Sequence, residues 1–277
     1  MLLSTEPSPA TDDFLFVVGH ELRTPITVAQ GCLDLLLRLP QFADPEERPH
    51  AYATLARQQM QRMARLVEDL TDVARIQSGK LRLQRAPLDL AALVPPVVET
   101  ARMLARGHSV ALDCGHEPLW VRGDAGRLEQ VLLNLLGNAF AHTAAGTRVE
   151  VGLWRAGAEA ALVVRDDGPG IPAEALPHIF ARFAQAEQAE PAVHGGLGLG
   201  LYICQELVVA HGGCLEARSA EGAGVAFTVR LPLMGAERYK SDMHRSQESG
   251  QMAPDLQGAF IGQKAADRRL PSRAGNR

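Results

Sequence analysis

Apolar residues recur at alternating spacings of three and four along two stretches near the start of the chain, which restricts the fold more than any other feature. The first seam consists of Leu15, Val18, Leu22, Pro25, Ala29, Cys32, Leu36 and Leu39, and the second of Tyr52, Ala56, Gln59, Met63, Leu66, Leu70 and Val73. Such spacing is typical of helices that pack side by side. The segment 40–50 between them contains three prolines and is predicted to be a loop. Two helices in a hairpin cannot enclose a core, so we expect a homodimeric four-helix bundle formed by residues 11–79.

Helical and strand patterns alternate over residues 90–235, which predicts a second and larger domain. Asp89 and Asp124 can each cap a helix. The first helix is expected to run to about Arg106, although Pro95 and Pro96 restrict where it begins, and the second is expected over 125–141. Alternating apolar residues predict strands at HSVALD, LWVRG, TRVEVGLWR, AALVVRD, CLEARS and GVAFTVRLPL, with another helix over 199–211. The expected fold class is therefore α+β, a helical hairpin followed by a mixed sheet with helices on one face.

The ends of the chain and the segment between the two domains are more polar. Residues 80–89 are expected to be a linker, and residues 1–10 and 236–277 are expected to be disordered. The last of these segments carries eight basic and five acidic side chains, which leaves the rest of the chain with a net charge of -7. An acidic body argues against direct binding of nucleic acid.

The cysteines and the hydropathy of the chain predict a cytoplasmic protein. None of the four cysteines forms a CxxC pair, so we expect reduced thiols. No apolar run reaches the ~18 residues that a transmembrane helix needs, and the N-terminus has no basic, apolar signal peptide.

The stretch FVVGHELRTP contains a candidate nucleophile. His20 falls at the helical position farthest from the seam, so its side chain is predicted to face solvent. A zinc protease is excluded because Thr24 stands where the second histidine of HExxH belongs. Pro25 cannot donate to the Glu21 carbonyl, so the helix must bend beside His20. By position alone, His20 is most simply an ordinary surface histidine. The bend at Pro25 beside it also favours a functional interpretation, in which the neutral imidazole acts as a nucleophile and Glu21 takes its proton.

The helix after Asp124 is apolar around most of its circumference, apart from one polar stripe at four-residue spacing. The stripe consists of Gln130, Asn134, Asn138 and His142. Buried amides need partners, and two interpretations remain open at this point. The amides bond nearby backbone, or their carbonyl oxygens face a hard cation and phosphate, as Mg²⁺ prefers.

Two glycine-containing motifs follow later in the chain. VVRDDGPGIP ends a strand with Asp166 and then places Gly168 and Gly170, which is compatible with a simple turn. HGGLGLGLYICQEL places glycines directly before an amphipathic helix, where backbone N–H groups can bind phosphate. This motif is neither a Walker A loop nor a dinucleotide-binding GxGxxG, because GK[ST] is missing and Leu201 replaces the third glycine.

Taken together, these motifs resemble a known family. GHELRTP, NLLGNAFAHT, DDGPGIP, IFARF and GGLGLGLYI resemble the H, N, G1, F and G2 boxes of sensor histidine kinases, in the order typical of that family. The resemblance covers roughly residues 10–235. It implies a dimeric phosphoacceptor hairpin followed by an ATP-binding α/β sandwich, the GHKL (Bergerat) fold shared with type II topoisomerases and Hsp90 chaperones.

The resemblance also implies roles for the hairpin residues and a set of partners. His20 would attack the γ-phosphate of ATP, and Glu21 would orient and deprotonate it. The phosphoryl group would then pass to an aspartate in the receiver domain of a response regulator. Thr24 matches the position used for phosphatase activity toward that regulator. The family's usual sensor module is missing, so we expect the stimulus to come through the short N-terminus or a partner such as a separate sensor protein.

For the second domain, the resemblance implies a site for ATP and Mg²⁺. Asn138 would hold the metal with Asn134 beside it, and Asp166 would bind the adenine amino group. The other expected contacts to ATP are His142, Gly168, Gly170, Ile171, Phe180, Phe183, Gly196, Leu197, Gly198, Leu199, Gly200 and Leu201. Residues 173–195 would form a flexible lid.

Several residues depart from the family pattern. Gly19 precedes the histidine where serine is usual. Ala141 and Gln185 stand where cations are common, which could weaken ATP binding or phosphoryl transfer. The sequence therefore favours a histidine autokinase, with a catalytically weak phosphotransfer or dimerisation scaffold as the alternative. An ATP-driven clamp is disfavoured, because Asn134 replaces the water-activating glutamate of the ATP-hydrolysing relatives.

Overall fold

Two helices lie where the apolar seams predict them. The computed structural model describes residues 22, 24–35, 47–105, 107–115, 117–184, 197–220 and 222–235. Helix α1 covers 24–35 and helix α2 covers Glu47–Gln77. The described members of both seams are buried or half-buried, among them Pro25, Ala29, Cys32, Ala56, Leu66 and Val73. The predictions of disorder for 1–10 and 236–277 concern residues outside this part of the chain.

Helix α2 begins four residues before the predicted start at about residue 51, inside the segment expected to be a loop. Pro49 lies in the first turn of α2. Backbone N–H groups in a first turn make no hydrogen bond within the helix, so proline is tolerated there. Proline content therefore predicted a loop where a helix already begins.

The strands form two sheets, and the larger confirms the predicted mixed α+β class. The strands are β1 (Ala86–Asp89), β2 (Ser109–Cys114), β3 (Trp120–Gly123), β4 (Arg148–Ala156), β5 (Glu159–Asp166), β6 (Cys214–Ser219) and β7 (Val225–Pro232). The larger sheet has the order β2-β4-β5-β7-β6, in which β2 and β4 run parallel and all other neighbours antiparallel. Strand β1 pairs antiparallel with β3, so the last four residues of the predicted linker 80–89 belong to a sheet. Half-buried Leu88 of β1 packs against the core.

Three further helices are α3 (Leu90–Leu104), α4 (Ala125–Ala141) and α5 (Gly200–Ala210). The predicted caps are confirmed, because the carboxylates of Asp89 and Asp124 accept hydrogen bonds from the backbone N–H groups of Ala91 and Arg127. Pro95 and Pro96, expected to restrict where α3 begins, instead lie inside it. The cap at Asp89 and the buried apolar face of α3 outweigh the cost of the two prolines.

The helices and one face of the five-stranded sheet enclose a continuous apolar core. Leu66 and Val73 of α2 belong to the same core as the helices α3, α4 and α5. Helix α2 therefore packs against the α/β region, mainly at α5. Among the described helices, none combines the length and apolar character that crossing a membrane requires.

Candidate functional site

Helix α4 presents the two asparagines of the predicted polar stripe at the edge of the core. Asn134 and Asn138 are half-buried, one turn apart. The Nδ2 atom of Asn134 is buried and has no hydrogen-bond partner among the described residues. Leaving a buried amide unpaired costs ~1–3 kcal/mol, so this group fits a site that receives an acceptor from outside the chain. The finding favours the functional interpretation of the stripe over two structural amides.

The thiol of Cys204 is a polar neighbour of Asn134, but it is a poor partner. Its sulfur donates to the carbonyl of Val131 at 3.7 Å. Burial raises the pKa of the Cys204 thiol to about 12, and the nearby Asn134 amide only partly opposes that shift. The thiol therefore stays neutral at physiological pH, and a neutral sulfur is a weak acceptor.

The two ends of the polar stripe have different surroundings from its middle. His142 follows the last residue of α4 and is exposed, and its backbone N–H donates to the carbonyl of Asn138 at 3.1 Å. Gln130 lies in the second turn of α4 and donates to the carboxylate of Asp72 in α2. The stripe is therefore not one site, because Gln130 contacts the hairpin.

Asp166 ends β5 as a buried carboxylate beside the C-terminal end of α4. Its Oδ1 atom accepts a hydrogen bond from the backbone N–H of Gly168 at 2.9 Å. A Cβ atom on Gly168 would lie 2.4 Å from Cγ2 of Thr143, so only glycine lets the two segments approach this closely. Thr143 in turn donates to the carbonyl of Ala139 in α4 at 2.6 Å.

The loop that follows Asp166 is held by the hairpin between β6 and β7. The backbone N–H of Ile171 donates to the Ser219 hydroxyl at 2.7 Å, and this hydroxyl donates to the carbonyl of Gly224 at 2.8 Å. Gly170 has a φ of 81°, in the left-handed region that favours glycine. The sequence had given no signal for Ser219.

The described part of the predicted lid, 173–184, packs on the glycine motif before α5. The ring of Phe180 meets that of Phe227 edge-on at 6.4 Å between centroids. The backbone N–H of Phe183 donates to the carbonyl of Gly198 at 3.1 Å, and Phe183 itself has a φ of 62°. A left-handed conformation is uncommon for an aromatic residue and marks a constrained turn.

The glycine motif brings α5 close to Asn134. Gly200 is the first residue of α5, and a Cβ atom there would lie 3.9 Å from the Asn134 amide nitrogen. Leu197 and Leu199 are buried in the core, so their side chains support the turn and only their backbone is available to a ligand. Leu201 is partly buried against the same core.

Some predicted site residues lie outside the described chain. These are His20, Glu21, Gly196 and, within the lid, residues 185–195. Thr24 is an exposed residue of α1. One cation near the glycine motif had not been predicted: the Arg182 guanidinium lies 5.8 Å from the centroid of the Tyr202 ring in α5.

Two family models match the chain at the positions of these two domains. Residues 10–79 match the His Kinase A (phospho-acceptor) domain. Residues 123–235 match the histidine kinase-, DNA gyrase B- and HSP90-like ATPase. The chain belongs to the sensor histidine kinase family. This confirms the resemblance seen in the five sequence boxes.

Individual relatives agree with this family assignment. The "Probable sensor histidine kinase TcrY" of Mycobacterium tuberculosis is 40% identical over 228 residues, which cover 82% of this chain and 47% of that protein. The chain thus spans about half the length of such curated relatives. The structure of the Acinetobacter baumannii histidine kinase AdeS aligns with a TM-score of 0.58 and 27% identity, covering 78% of this chain and 98% of that chain. Histidine kinase ThkA in complex with response regulator protein TrrA aligns with a TM-score of 0.57 and 25% identity, covering 80% and 61% respectively.

Proposed function

We propose that this histidine kinase phosphorylates itself on His20 with ATP and passes the phosphoryl group to an aspartate of a response regulator. The observation that carries the proposal is the buried Nδ2 of Asn134, which has no hydrogen-bond partner in the described part of the chain and lies against the first residue of α5. A buried donor beside a glycine-rich helix start suits the phosphates of a nucleotide.

The proposed nucleotide site extends along α4. At one end, Asp166 accepts from the adenine amino group, and Gly168 and Gly170 leave room for the base. At the other end, Asn134 and the backbone N–H groups that begin α5 face the phosphates. Two parts of the fold, β5 and α5, are therefore expected to bind opposite ends of one ligand.

Mg²⁺ fits this donor set, although few protein ligands are available to it. Among the described residues, no group of three or more His, Cys, Asp or Glu could hold a metal ion. Mg²⁺ usually takes one or two protein oxygens and completes its shell with phosphate and water, so the carbonyl of Asn138 with ATP is sufficient. The ion supplies charge neutralisation for phosphoryl transfer.

On the hairpin, His20 is proposed to act as the nucleophile. A ring nitrogen of His20 forms the bond to the γ-phosphorus as the bond to the ADP oxygen breaks, and Glu21 accepts the ring proton. Thr24 is exposed on α1, as a residue that acts on the phosphorylated regulator must be. Positioning and charge stabilisation account for most of the rate in such transfers.

The proposed partners are a second copy of this chain and a response regulator. Dimerisation through residues 11–79 is supported by the match to the phosphoacceptor domain and by large apolar side chains that α1 and α2 expose, among them Ile26, Leu33, Leu55 and Met60. A regulator partner is supported by the relative ThkA, whose structure holds the response regulator TrrA. A separate sensor protein and a cytoplasmic location remain predictions from the sequence.

The proposal is tested by incubating the protein with γ-labelled ATP and Mg²⁺ and measuring acid-labile, base-stable label. We expect His20→Gln to abolish labelling and to leave ATP binding unchanged. His50→Gln, at a second histidine of the hairpin, is the matched control and should label normally. Label that persists in His20→Gln would refute the site, and ATP binding without any label in the parent would favour the scaffold alternative.

A further inference from the structure

Asp72 is a buried carboxylate of α2 whose closest partners come from α4. Its side chain is 5% exposed. The Nη1 atom of Arg127 and the Nε2 atom of Gln130 both donate to its Oδ2 atom, at 2.7 and 2.9 Å. Arg127 Nη1 also donates to Oε1 of Gln130 at 2.8 Å. The three side chains form a closed polar cluster, named here the Asp72 cluster.

The Asp72 cluster forms only when α4 lies against α2. Its members are separated by 55 and 58 positions in the sequence, so no local helical contact can replace them. Arg75 of α2 itself approaches the carboxylate only to 4.0 Å and is half exposed. A buried carboxylate that loses its partners is strongly destabilised, because desolvation is then uncompensated. The Asp72 cluster therefore favours the position on α2 in which the structure shows the domain.

The linker between α2 and the second domain also holds the start of α4 near α2. The backbone N–H of Gln84 donates to Oδ2 of Asp124 at 2.8 Å, while Oδ1 of Asp124 caps α4. The Arg85 guanidinium donates to the carbonyl of Ala210, at the end of α5. The start of α4 is thus attached to both the linker and α2, close to where the chain leaves the hairpin.

We propose that Asp72 is a positioning residue, which seats the ATP-binding domain on α2 through Arg127 and Gln130. This inference has a consequence for catalysis only if the proposed function is correct, and it rests on that function to this extent. Gln130 lies one turn before Asn134, so the Asp72 cluster determines where the proposed phosphate-binding face of α4 lies relative to the hairpin that carries His20. It also gives a role to Gln130, which shares the polar stripe but bonds Asp72 of α2.

Seating is expected to be reversible. The kinase domain and the regulator must both reach the same histidine, so the domain has to leave its position during a phosphotransfer cycle. In the unseated state the three side chains are free to be hydrated. Removing one charge then penalises the seated state, because only there does the remaining charge stay largely desolvated without its oppositely charged partner.

Distance measurements between two spin labels test the seating directly and require no kinase activity. One label is placed at Gln61→Cys, an exposed position of α2, and the other on the native Cys214, which is exposed in β6. Cys114→Ser removes the half-buried thiol, while Cys32 and Cys204 are buried. Labelled protein is diluted with an excess of unlabelled protein, so that the measured pair lies within one subunit of any dimer.

The labelled protein without further substitutions, called the parent, should give one narrow distribution of distances between the two labels. Asp72→Leu and Arg127→Met should each broaden it, with the seated-to-unseated ratio falling by about tenfold or more. Asp72→Asn keeps an acceptor and the side-chain shape, so it should shift the distribution in the same direction by less. The distance distribution of the double variant Asp72→Leu/Arg127→Met should be closer to that of the parent than the distribution of either single variant, because no charge is left without its partner.

Matched controls separate this result from unfolding and from the failure of the proposed function. Glu68→Gln removes an exposed carboxylate from the same helix and should leave the distribution unchanged. The circular dichroism of every variant should match that of the parent. A parent distribution that is already broad would overturn the proposal, as would Asp72→Leu, Asp72→Asn and Arg127→Met distributions identical to the parent. If the parent does not bind ATP, that result counts against the proposed function and leaves the proposal about Asp72 standing.

Discussion

The backbone N–H of Asp124 donates a hydrogen bond to Nε2 of His211 at 3.0 Å. Nδ1 of the same ring lies 2.7 Å from the carbonyl oxygen of Leu207, to which it donates. The imidazole is therefore neutral, because a protonated Nε2 cannot accept. Burial lowers the pKa of His211 below its usual 6.5, and the hydrogen bond to Leu207 opposes this only in part. A buried neutral histidine thus joins the start of α4 to the end of α5.

This pairing predicts a pH-dependent loss of stability. At pH 8, His211→Leu should lower the free energy of unfolding by about 1–2 kcal/mol, because the Asp124 N–H loses its acceptor. Since the pKa is lower in the folded state, the unfolded chain takes up the proton first as the pH falls below about 6.5, and the contribution of His211 fades. Urea unfolding should show the difference between parent and variant shrinking from pH 8 to pH 5. A constant difference would contradict the neutral imidazole, and exposed His178→Leu serves as control.

Asp69 should have the opposite pH dependence. Burial, with a contribution from the charge of Asp72, raises the pKa of Asp69 from 3.8 to about 6. Its stabilising contribution is complete below the unfolded pKa and is lost as the pH rises through the folded value. Asp69→Asn should therefore raise the free energy of unfolding at pH 7.5, by roughly 1 kcal/mol or less because solvent screens a partly exposed group. The gain should vanish toward pH 4, and Glu68→Gln should show a weaker trend of the same sign, because the Glu68 charge makes only a small contribution to the raised pKa of Asp69.

Neighbouring aspartates allow a matched test of the proposed adenine contact. Asp166→Asn should weaken ATP binding by at least about tenfold, because the new amide would place a donor against the adenine amino group. Asp167 instead accepts from the backbone N–H of Arg148 at 2.8 Å, so Asp167→Asn should leave the affinity within about twofold. Titration calorimetry with ATP and Mg²⁺ measures both constants. An equal loss of ATP affinity in the two variants would contradict the proposed contact between Asp166 and the adenine amino group.

Two glycines should respond oppositely to alanine. Gly198 has a φ of 66°, and a Cβ atom there would lie 2.7 Å from the carbonyl oxygen of Ala184, so Gly198→Ala should destabilise the turn before α5. Gly137 lies inside α4 with open space around its Cβ position, so Gly137→Ala should raise the free energy of unfolding by about 0.5–1 kcal/mol. Thermal unfolding of both variants gives the comparison. A stabilised Gly198→Ala protein would show that this turn is less constrained than its geometry indicates.

Local rules were sufficient for most of the secondary structure. Asp89 and Asp124 cap helices as predicted, and the helix expected over 125–141 has those bounds. A cap depends on one side chain and the next few backbone N–H groups, all of which are adjacent in sequence. The same reasoning failed for Pro95 and Pro96, where the burial of the apolar face of α3 decided the outcome.

The polar stripe of α4 shows where periodicity stops being informative. The spacing placed Gln130 and Asn134 on one face, and the structure agrees that they are neighbours. The spacing could not show that Gln130 faces α2 while Asn134 faces α5, because one face of a helix can contact different elements at its two ends. Asp72 itself stands next to a seam position and had no distinguishing signal, since its partners lie more than fifty residues away.

The sequence by itself determined the two helical seams, the capped helices, the alternating strands and the five motifs that place this chain among the sensor histidine kinases. All of these are patterns of near neighbours. Only the tertiary structure decided that Gly168 packs against Thr143, that the buried Asn134 amide finds no partner among the described residues, and that the Asp72 cluster joins α2 to α4. These relationships depend on which buried polar groups find partners across the core, and desolvation in three dimensions sets that outcome.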